Sequence, residues 1–109
     1  MASLEAFLSL DVRVGTIVSA ELLKGARKPA FALRIDFGEL GTKAGCAEIT
    51  DLYDPGELVG LQVGAIVNLP PQQVAGLVCE VAVLAADNGR GERALLIPEQ
   101  PVPDGARVV

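Results

Sequence analysis

The sequence contains no histidine and only two cysteines, Cys46 and Cys79, among its 109 residues. Without histidine, histidine-based catalytic triads, imidazole general bases and His-ligated metals are excluded. Two cysteines cannot complete a four-ligand zinc site. No Gly-rich segment matches the phosphate-binding loop that ends in Lys followed by Ser or Thr. The composition therefore favours a binding protein over an enzyme, and we expect neither a cofactor nor a metal.

Long apolar segments are also absent. Gly, Pro or a charged residue interrupts every apolar stretch well before the length of a membrane span. The N-terminus lacks the basic flank and apolar run of a signal peptide, and two cysteines without an export signal fit a reducing cytosol. We expect a cytoplasmic protein without membrane insertion, with one domain over residues 1–109.

The apolar content is nevertheless high. With the 12 glycines counted, about 60% of the residues are apolar, above the 45–50% usual for soluble domains. A small domain has too little interior to bury that much apolar surface, which favours a two-fold homodimer. The alternative is that abundant Ala and Gly simply inflate the count.

Alternating apolar and polar residues predict a fold rich in strands. The clearest strand runs from Phe31 to Phe37, where Phe31, Leu33, Ile35 and Phe37 share one face. Gly15 is a candidate bulge in the first strand. Other predicted strands cover 11–23, 45–50, 62–69, 77–85 and 94–97, and short helices are predicted after Ser3 and at 54–58.

The diproline Pro70–Pro71 marks a rigid corner between the fourth and fifth predicted strands, because proline fits neither a helix interior nor a central strand. The element order is three strands, a short helix, and two more strands with a hairpin extension. It predicts an all-β protein: a five-stranded OB-fold Greek-key barrel with a short helix between strands three and four and terminal extensions. A split sandwich is the alternative.

The basic residues are unevenly distributed on this acidic chain of net charge −5. Ligands of OB-folds bind near the second and third strands and the loop joining the first two. Five cations fall in or beside that region, which predicts a local basic patch for phosphate contacts. They are Lys24, Arg27, Lys28, Arg34 and Lys43. A solvated loop that keeps an apolar dimer soluble is the alternative.

Few aromatic side chains are available to stack on bases. Phe31 and Phe37 group with the predicted core, and Tyr53 is expected to be exposed near the short helix. This disfavours generic single-strand binding more than shape recognition of a folded RNA. Four acidic residues lie in and around the predicted short helix: Glu48, Asp51, Asp54 and Glu57. The alternative to phosphate binding is that this acidic segment repels RNA and selects basic peptides.

The two cysteines fall on the predicted third and fifth strands, which pair in an OB-fold. Period-two counting groups Cys46 with Glu48, but Cys79 with Val81 and Val83, so the two side chains are expected on different faces. Two buried, separate thiols are therefore favoured over a redox pair.

Seven segments together resemble the tRNA-binding domain family, and most of all its stand-alone CsaA group of export-related chaperones. The segments are Asp11–Val18, Ala26–Ala30, Ile35–Gly38, Ala47–Thr50, Asn68–Pro71, Ala75–Gly76 and Pro101–Ala106. The resemblance implies an OB-fold, a homodimer built partly from the terminal segments, and no catalytic activity. It also implies two ligands: tRNA or structured RNA, and unfolded stretches of secretory preproteins.

The chain departs from the family pattern at five positions. Gly45 and Cys46 replace two serines, Glu48 replaces a glutamine, Gln72 an arginine and Cys79 a serine. Each change removes a hydroxyl or cation that could contact RNA, or adds an acid. The residues predicted to contact RNA or peptide are the five cations together with Cys46, Glu48, Gln72, Gln73 and Cys79. A peptide-binding chaperone without RNA binding, and a purely structural dimerisation domain, remain as alternatives.

Overall fold

The computed structural model describes residues 1–109. It contains two short α-helices and nine strands, with one turn of 3-10 helix at Gly38–Leu40. In chain order the elements are α1 (Leu4–Ser9), β1 (Val12–Leu22), β2 (Phe31–Asp36), β3 (Thr42–Ala47), α2 (Pro55–Leu58), β4 (Gln62–Ile66), β5 (Gln72–Val74), β6 (Leu77–Cys79), β7 (Val81–Val83), β8 (Ala85–Asp87) and β9 (Arg93–Leu95).

Five strands close a barrel in the order β1-β2-β3-β7-β4. All neighbours are antiparallel except β3 and β7, which run parallel, and α2 lies in the connection between β3 and β4. The predicted five-stranded OB-type barrel with its short helix and terminal extensions is confirmed. Two hairpins, β5–β6 and β8–β9, form separate two-stranded sheets beside the barrel.

The barrel core is built from the strand with the clearest alternation. Phe31, Leu33, Ile35 and Phe37 are all buried, whereas Arg34 between them is exposed, as period two requires. Fully buried Leu58 from α2 packs in the same cluster. The helix begins as predicted, since the Asp54 amide donates to the Glu57 carboxylate at 2.9 Å in a capping-box contact.

The predicted fifth strand is interrupted at Glu80. Its first part, β6, belongs to a hairpin with β5, and only β7 joins the barrel. The Glu80 amide donates to the Ala44 carbonyl (2.8 Å), and the Ala44 amide donates to the Glu80 carboxylate (3.0 Å). A side chain thus replaces one backbone partner in the ladder, which breaks the alternation at this residue. The prediction of one continuous strand over 77–85 is wrong for that reason.

The predicted bulge at Gly15 is also wrong. The register of β1 against β2 shifts between Ile17 and Ser19 instead. Gly15 serves close packing, because a Cβ atom there would lie 2.7 Å from Ile35 Cγ2 and 2.8 Å from both the Asp36 carbonyl oxygen and Phe37 Cδ1. The glycine therefore lets β1 approach β2 and its continuation closely at this position.

The two chain termini lie against the same end of β1. The C-terminal tail pairs with β1 through Val14, whose amide donates to the Ala106 carbonyl (2.9 Å), and through an Arg13–Arg107 bridge. Ser3 caps α1 as predicted, accepting from the Ala6 amide at 3.1 Å. No residue of α1 is buried. None of the helices is both long enough and apolar enough to span a membrane.

Candidate nucleic-acid interface

An open groove of about 740 Å³ lies where the sequence analysis places the ligand face. The loop joining β1 and β2 forms one wall, and the β5–β6 hairpin forms the facing wall. The end of β3 and the strand β7 form the floor. Most of the lining is apolar, and it also includes five charged side chains: Arg27, Lys28, Glu48, Glu80 and Arg93.

Of the five predicted cations, Arg27 and Lys28 line this groove, whereas Lys24, Arg34 and Lys43 do not. Arg27 and Lys28 are exposed on the β1–β2 loop. Arg34 is exposed on the outer face of β2, opposite Ala44, and Lys43 is half-buried on β3, opposite Ile35. The structure therefore divides the predicted patch into a groove pair and three cations outside the lining.

The nine basic side chains fall into two sets according to their ion pairs. Four of them, Arg13, Arg90, Arg93 and Arg107, have a carboxylate within 4.0 Å. The remaining five have none, and they are the five cations selected from the sequence: Lys24, Arg27, Lys28, Arg34 and Lys43. Charges without an internal partner are the ones available to a polyanion.

The facing wall carries the predicted polar residues. Gln72 and Gln73 are exposed on β5 directly after the diproline corner, and both line the groove. The corner leads into a hairpin that turns at Ala75–Gly76, where both residues adopt positive φ (49° and 85°). Two positive φ values in a two-residue turn match the twist of a tight hairpin. The hairpin thus brings the two amides into the same groove as Arg27 and Lys28 of the β1–β2 loop.

The expectation of two separate thiols is wrong: Cys46 and Cys79 form a disulfide, with their Cα atoms 6.0 Å apart. The prediction assumed that Cys79, Val81 and Val83 alternate along one strand. The strand ends at Glu80, so Cys79 does not share the alternation of β7. Cys79 belongs to β6, outside the barrel, and reaches back to Cys46 on β3. The bond lies in the lining of the groove.

Glu48 also lines the groove, beside a basic residue that the sequence pattern did not indicate. Its carboxylate lies 3.9 Å from the Arg93 guanidinium on β9. Arg93 is distant in sequence and reaches the groove because the β8–β9 hairpin returns the chain to the barrel, where the Gly64 amide of β4 donates to the Leu96 carbonyl at 3.1 Å. The only available signal was the turn at Asn88–Gly89, which predicts a hairpin but not its direction.

No aromatic ring lines the groove. Phe31 and Phe37 are core residues, as predicted. The expected exposure of Tyr53 is wrong, since the ring packs half-buried against the core and its hydroxyl accepts from the Leu95 amide at 3.0 Å. The groove offers cations, amides and apolar contacts but no stacking platform. No group of three or more His, Cys, Asp or Glu side chains is placed to hold a metal.

Residues 12–107 match the family model described as "Putative tRNA binding domain". The chain belongs to this tRNA-binding domain family. The match covers the whole barrel and both hairpins, and hence every residue that lines the groove.

Solved structures and curated relatives agree with this assignment. The chaperone CsaA of Bacillus anthracis is similar over the full length of both chains (100% and 99%), with a TM-score of 0.94 and 48% identity. The CsaA chaperone protein of Picrophilus torridus has a TM-score of 0.92 and 39% identity over 100% of both chains. The methionine–tRNA ligase of Porphyromonas gingivalis is 39% identical over 104 residues. That match covers 95% of this chain but 15% of the ligase, so this chain corresponds to one segment of the enzyme.

Proposed function

We propose that this chain is a non-catalytic, homodimeric tRNA-binding protein of the CsaA type that acts as one domain in the cytoplasm. The observation that carries the proposal is the division of its cations. The five that lack a carboxylate partner all fall between Lys24 and Lys43, and two of them, Arg27 and Lys28, stand at the wall of the groove. In this family, unpaired cations beside an open groove favour RNA phosphates as the ligand.

The mode of binding follows from what the groove presents. Arg27 and Lys28 would contact phosphates, and the exposed amides of Gln72 and Gln73 would contact sugar hydroxyls or base edges. The absence of aromatic rings favours recognition of a folded RNA by shape and 2′-hydroxyls over stacking on splayed bases. The acids of the groove support a non-catalytic role: Glu48 is paired with Arg93, and Glu80 is hydrogen-bonded to β3.

The charge assignment is tested by fluorescence anisotropy of labelled bulk tRNA at low salt. Arg27→Ala is expected to weaken binding roughly tenfold, the lower end for a hydrogen bond to a charged group. Arg90→Ala is the matched control, because it removes the same charge from another exposed loop, where Arg90 already pairs with Glu92 at 3.4 Å. Equal losses of tRNA affinity in the two variants would contradict specific binding by the basic wall, that is, by Arg27 and Lys28 of the β1–β2 loop.

The dimer is supported by apolar surface that the two termini present together. Leu4, Phe7 and Leu8 of α1 are 71%, 38% and 44% exposed. The Arg107 guanidinium donates to the Leu8 carbonyl (3.0 Å), which holds the tail beside the helix. Exposed apolar side chains of this kind are candidates for a two-fold interface.

Light scattering coupled to size exclusion tests this interface. Leu8→Glu is expected to shift the mass from dimer to monomer. Leu22→Glu is the control, since Leu22 is 58% exposed at the other end of β1. A monomeric wild type, or a Leu8→Glu dimer, would contradict the proposed interface.

A chaperone role for unfolded secretory preproteins, connected with export, is the second candidate. It is favoured by the apolar lining, which includes Val74, Val81 and Val83, and by the similarity to CsaA chaperones. Suppression of preprotein aggregation should persist at high salt, because apolar burial is not screened. Val74→Asp should abolish the suppression, whereas Val78→Asp, on the same hairpin but outside the lining, should not. A protein that binds neither ligand would be a structural dimerisation domain.

A further inference from the structure

The β5–β6 hairpin is held to the barrel without any strand pairing. It forms its own two-stranded sheet. Among residues 72–79, Cys79 is the only one that is buried. An isolated two-stranded hairpin is marginally stable in water. Its position therefore depends on whatever ties it to the barrel.

Two connections tie the hairpin to β3. One is the Cys46–Cys79 disulfide, which closes a sequence separation of 33 residues. The other is the pair of hydrogen bonds between Glu80 and Ala44, immediately after the hairpin ends. At its turn, the hairpin comes close to the β1–β2 loop: a Cβ atom built on Gly25 would lie 3.8 Å from the Ala75 Cβ. The disulfide is thus the strongest connection between the hairpin and β3 of the barrel.

We propose that the Cys46–Cys79 disulfide is a redox latch that fixes the β5–β6 hairpin as a wall of the groove, and that its reduction releases the hairpin and weakens RNA binding. The effect on RNA rests on the proposed function, whereas the release of the hairpin does not. Disulfides in a reducing compartment are usually transient and catalytic or redox-sensing, which fits the cytoplasmic location proposed above.

The chemistry is thiol–disulfide exchange. A dithiol reductant attacks one sulfur of the bond through its thiolate, forms a mixed disulfide and releases one protein thiol. Its second thiol then displaces the other protein sulfur. Two electrons and two protons pass to Cys46 and Cys79, and the reductant becomes a disulfide. A small-molecule disulfide reverses the step. The reductant can approach because both cysteines line the open groove and Cys46 is only half-buried.

Release of the hairpin changes the groove directly. Gln72, Gln73, Val74 and Ala75 all line it and all move with the hairpin. The oxidised protein is expected to bind tRNA more tightly by at least about fivefold, the lower end of typical coupling between two sites. By the same coupling, bound tRNA should make the disulfide harder to reduce by an equal factor.

Amide hydrogen exchange on the full chain, with and without dithiothreitol, tests the latch without RNA. Reduction is expected to remove protection from residues 72–79 and leave the barrel amides of β1 and β2 protected. The Cys46→Ser/Cys79→Ser variant should resemble the reduced protein and should not respond to dithiothreitol. Unchanged exchange in 72–79 would overturn the latch. Loss of protection throughout the barrel would also overturn it, because the disulfide would then stabilise the whole fold and not the hairpin alone.

Anisotropy with labelled bulk tRNA on the same samples tests the consequence. An affinity loss of about fivefold or more on reduction, absent in the serine variant, supports the proposal. Equal affinity in both forms overturns its RNA part. Absence of binding in both forms would instead reject the proposed tRNA function, and hydrogen exchange would still decide whether the hairpin is latched.

Discussion

Gly15→Ala should destabilise the barrel strongly, although it adds one methyl group. The new Cβ would lie 2.7 Å from Ile35 Cγ2 and 2.8 Å from Phe37 Cδ1, and both side chains are fully buried. It would also lie 2.8 Å from the Asp36 carbonyl oxygen, a backbone atom that cannot rotate away. Relief requires β1 and the end of β2 to separate. Overpacking of this kind costs about 1–3 kcal/mol, and three simultaneous contacts favour the upper end.

The assay is urea or thermal unfolding followed by circular dichroism, with Gly56→Ala as the matched control. Gly56 lies in α2 with no atom within 4 Å of its added Cβ, so the same change should be neutral or stabilise by about 0.4–1 kcal/mol. A loss of 2–3 kcal/mol corresponds to a fall in melting temperature of about 10–20 °C for a domain of this size. Equal stability of the two variants would refute the close approach of β1 and β2.

Two further predictions concern the C-terminal tail. Asp104→Ala should cost about 1–3 kcal/mol of unfolding free energy in urea titrations, because Asp104 accepts a hydrogen bond from the Thr16 hydroxyl at 2.5 Å; a cost near zero would mean that the tail is held elsewhere. The hydrogen bond from Arg13, supported by the charges of Arg13 and Arg107, holds the pKa of Asp11 below its usual value. This contribution is fully present above the unfolded-state pKa and is lost as pH falls through the folded-state pKa. The stability gap between wild type and Asp11→Asn should therefore close in acid, and a gap independent of pH would contradict the ion pair.

Alternation predicted the part of the fold that repeats regularly. Phe31 to Phe37 reads as one half-buried strand because each apolar side chain meets the barrel interior, and the capping signals of Asp54 and Glu57 act within one helical turn. Element order then suffices for the barrel, because the short helix falls between the third and fourth strands.

The errors arise where a single residue interrupts the pattern through a distant contact. Glu80 substitutes its carboxylate for a backbone partner of Ala44, and no local signal reports that exchange. It splits the predicted strand, creates the hairpin and brings Cys79 to Cys46. Arg93 enters the groove for a similar reason, through the direction of a hairpin. The five unpaired cations were found because their clustering is local in sequence, whereas their separation from every carboxylate is visible only in three dimensions.

The salt dependence of tRNA affinity tests the central claim most directly, because it counts the phosphates that the protein neutralises. If Arg27 and Lys28, the two cations that line the groove, each contact one phosphate, log affinity against log salt should have a slope of about −1.4 to −1.8, and of about −3.5 to −4.5 if Lys24, Arg34 and Lys43 also contact phosphates. A fourfold rise in salt would then weaken binding about 7- to 12-fold with two contacts and about 100- to 500-fold with five. Arg27→Ala should make the slope shallower by about one unit, and Arg90→Ala should leave it unchanged. A slope near zero, or one unaltered by Arg27→Ala, would contradict phosphate binding by this basic wall.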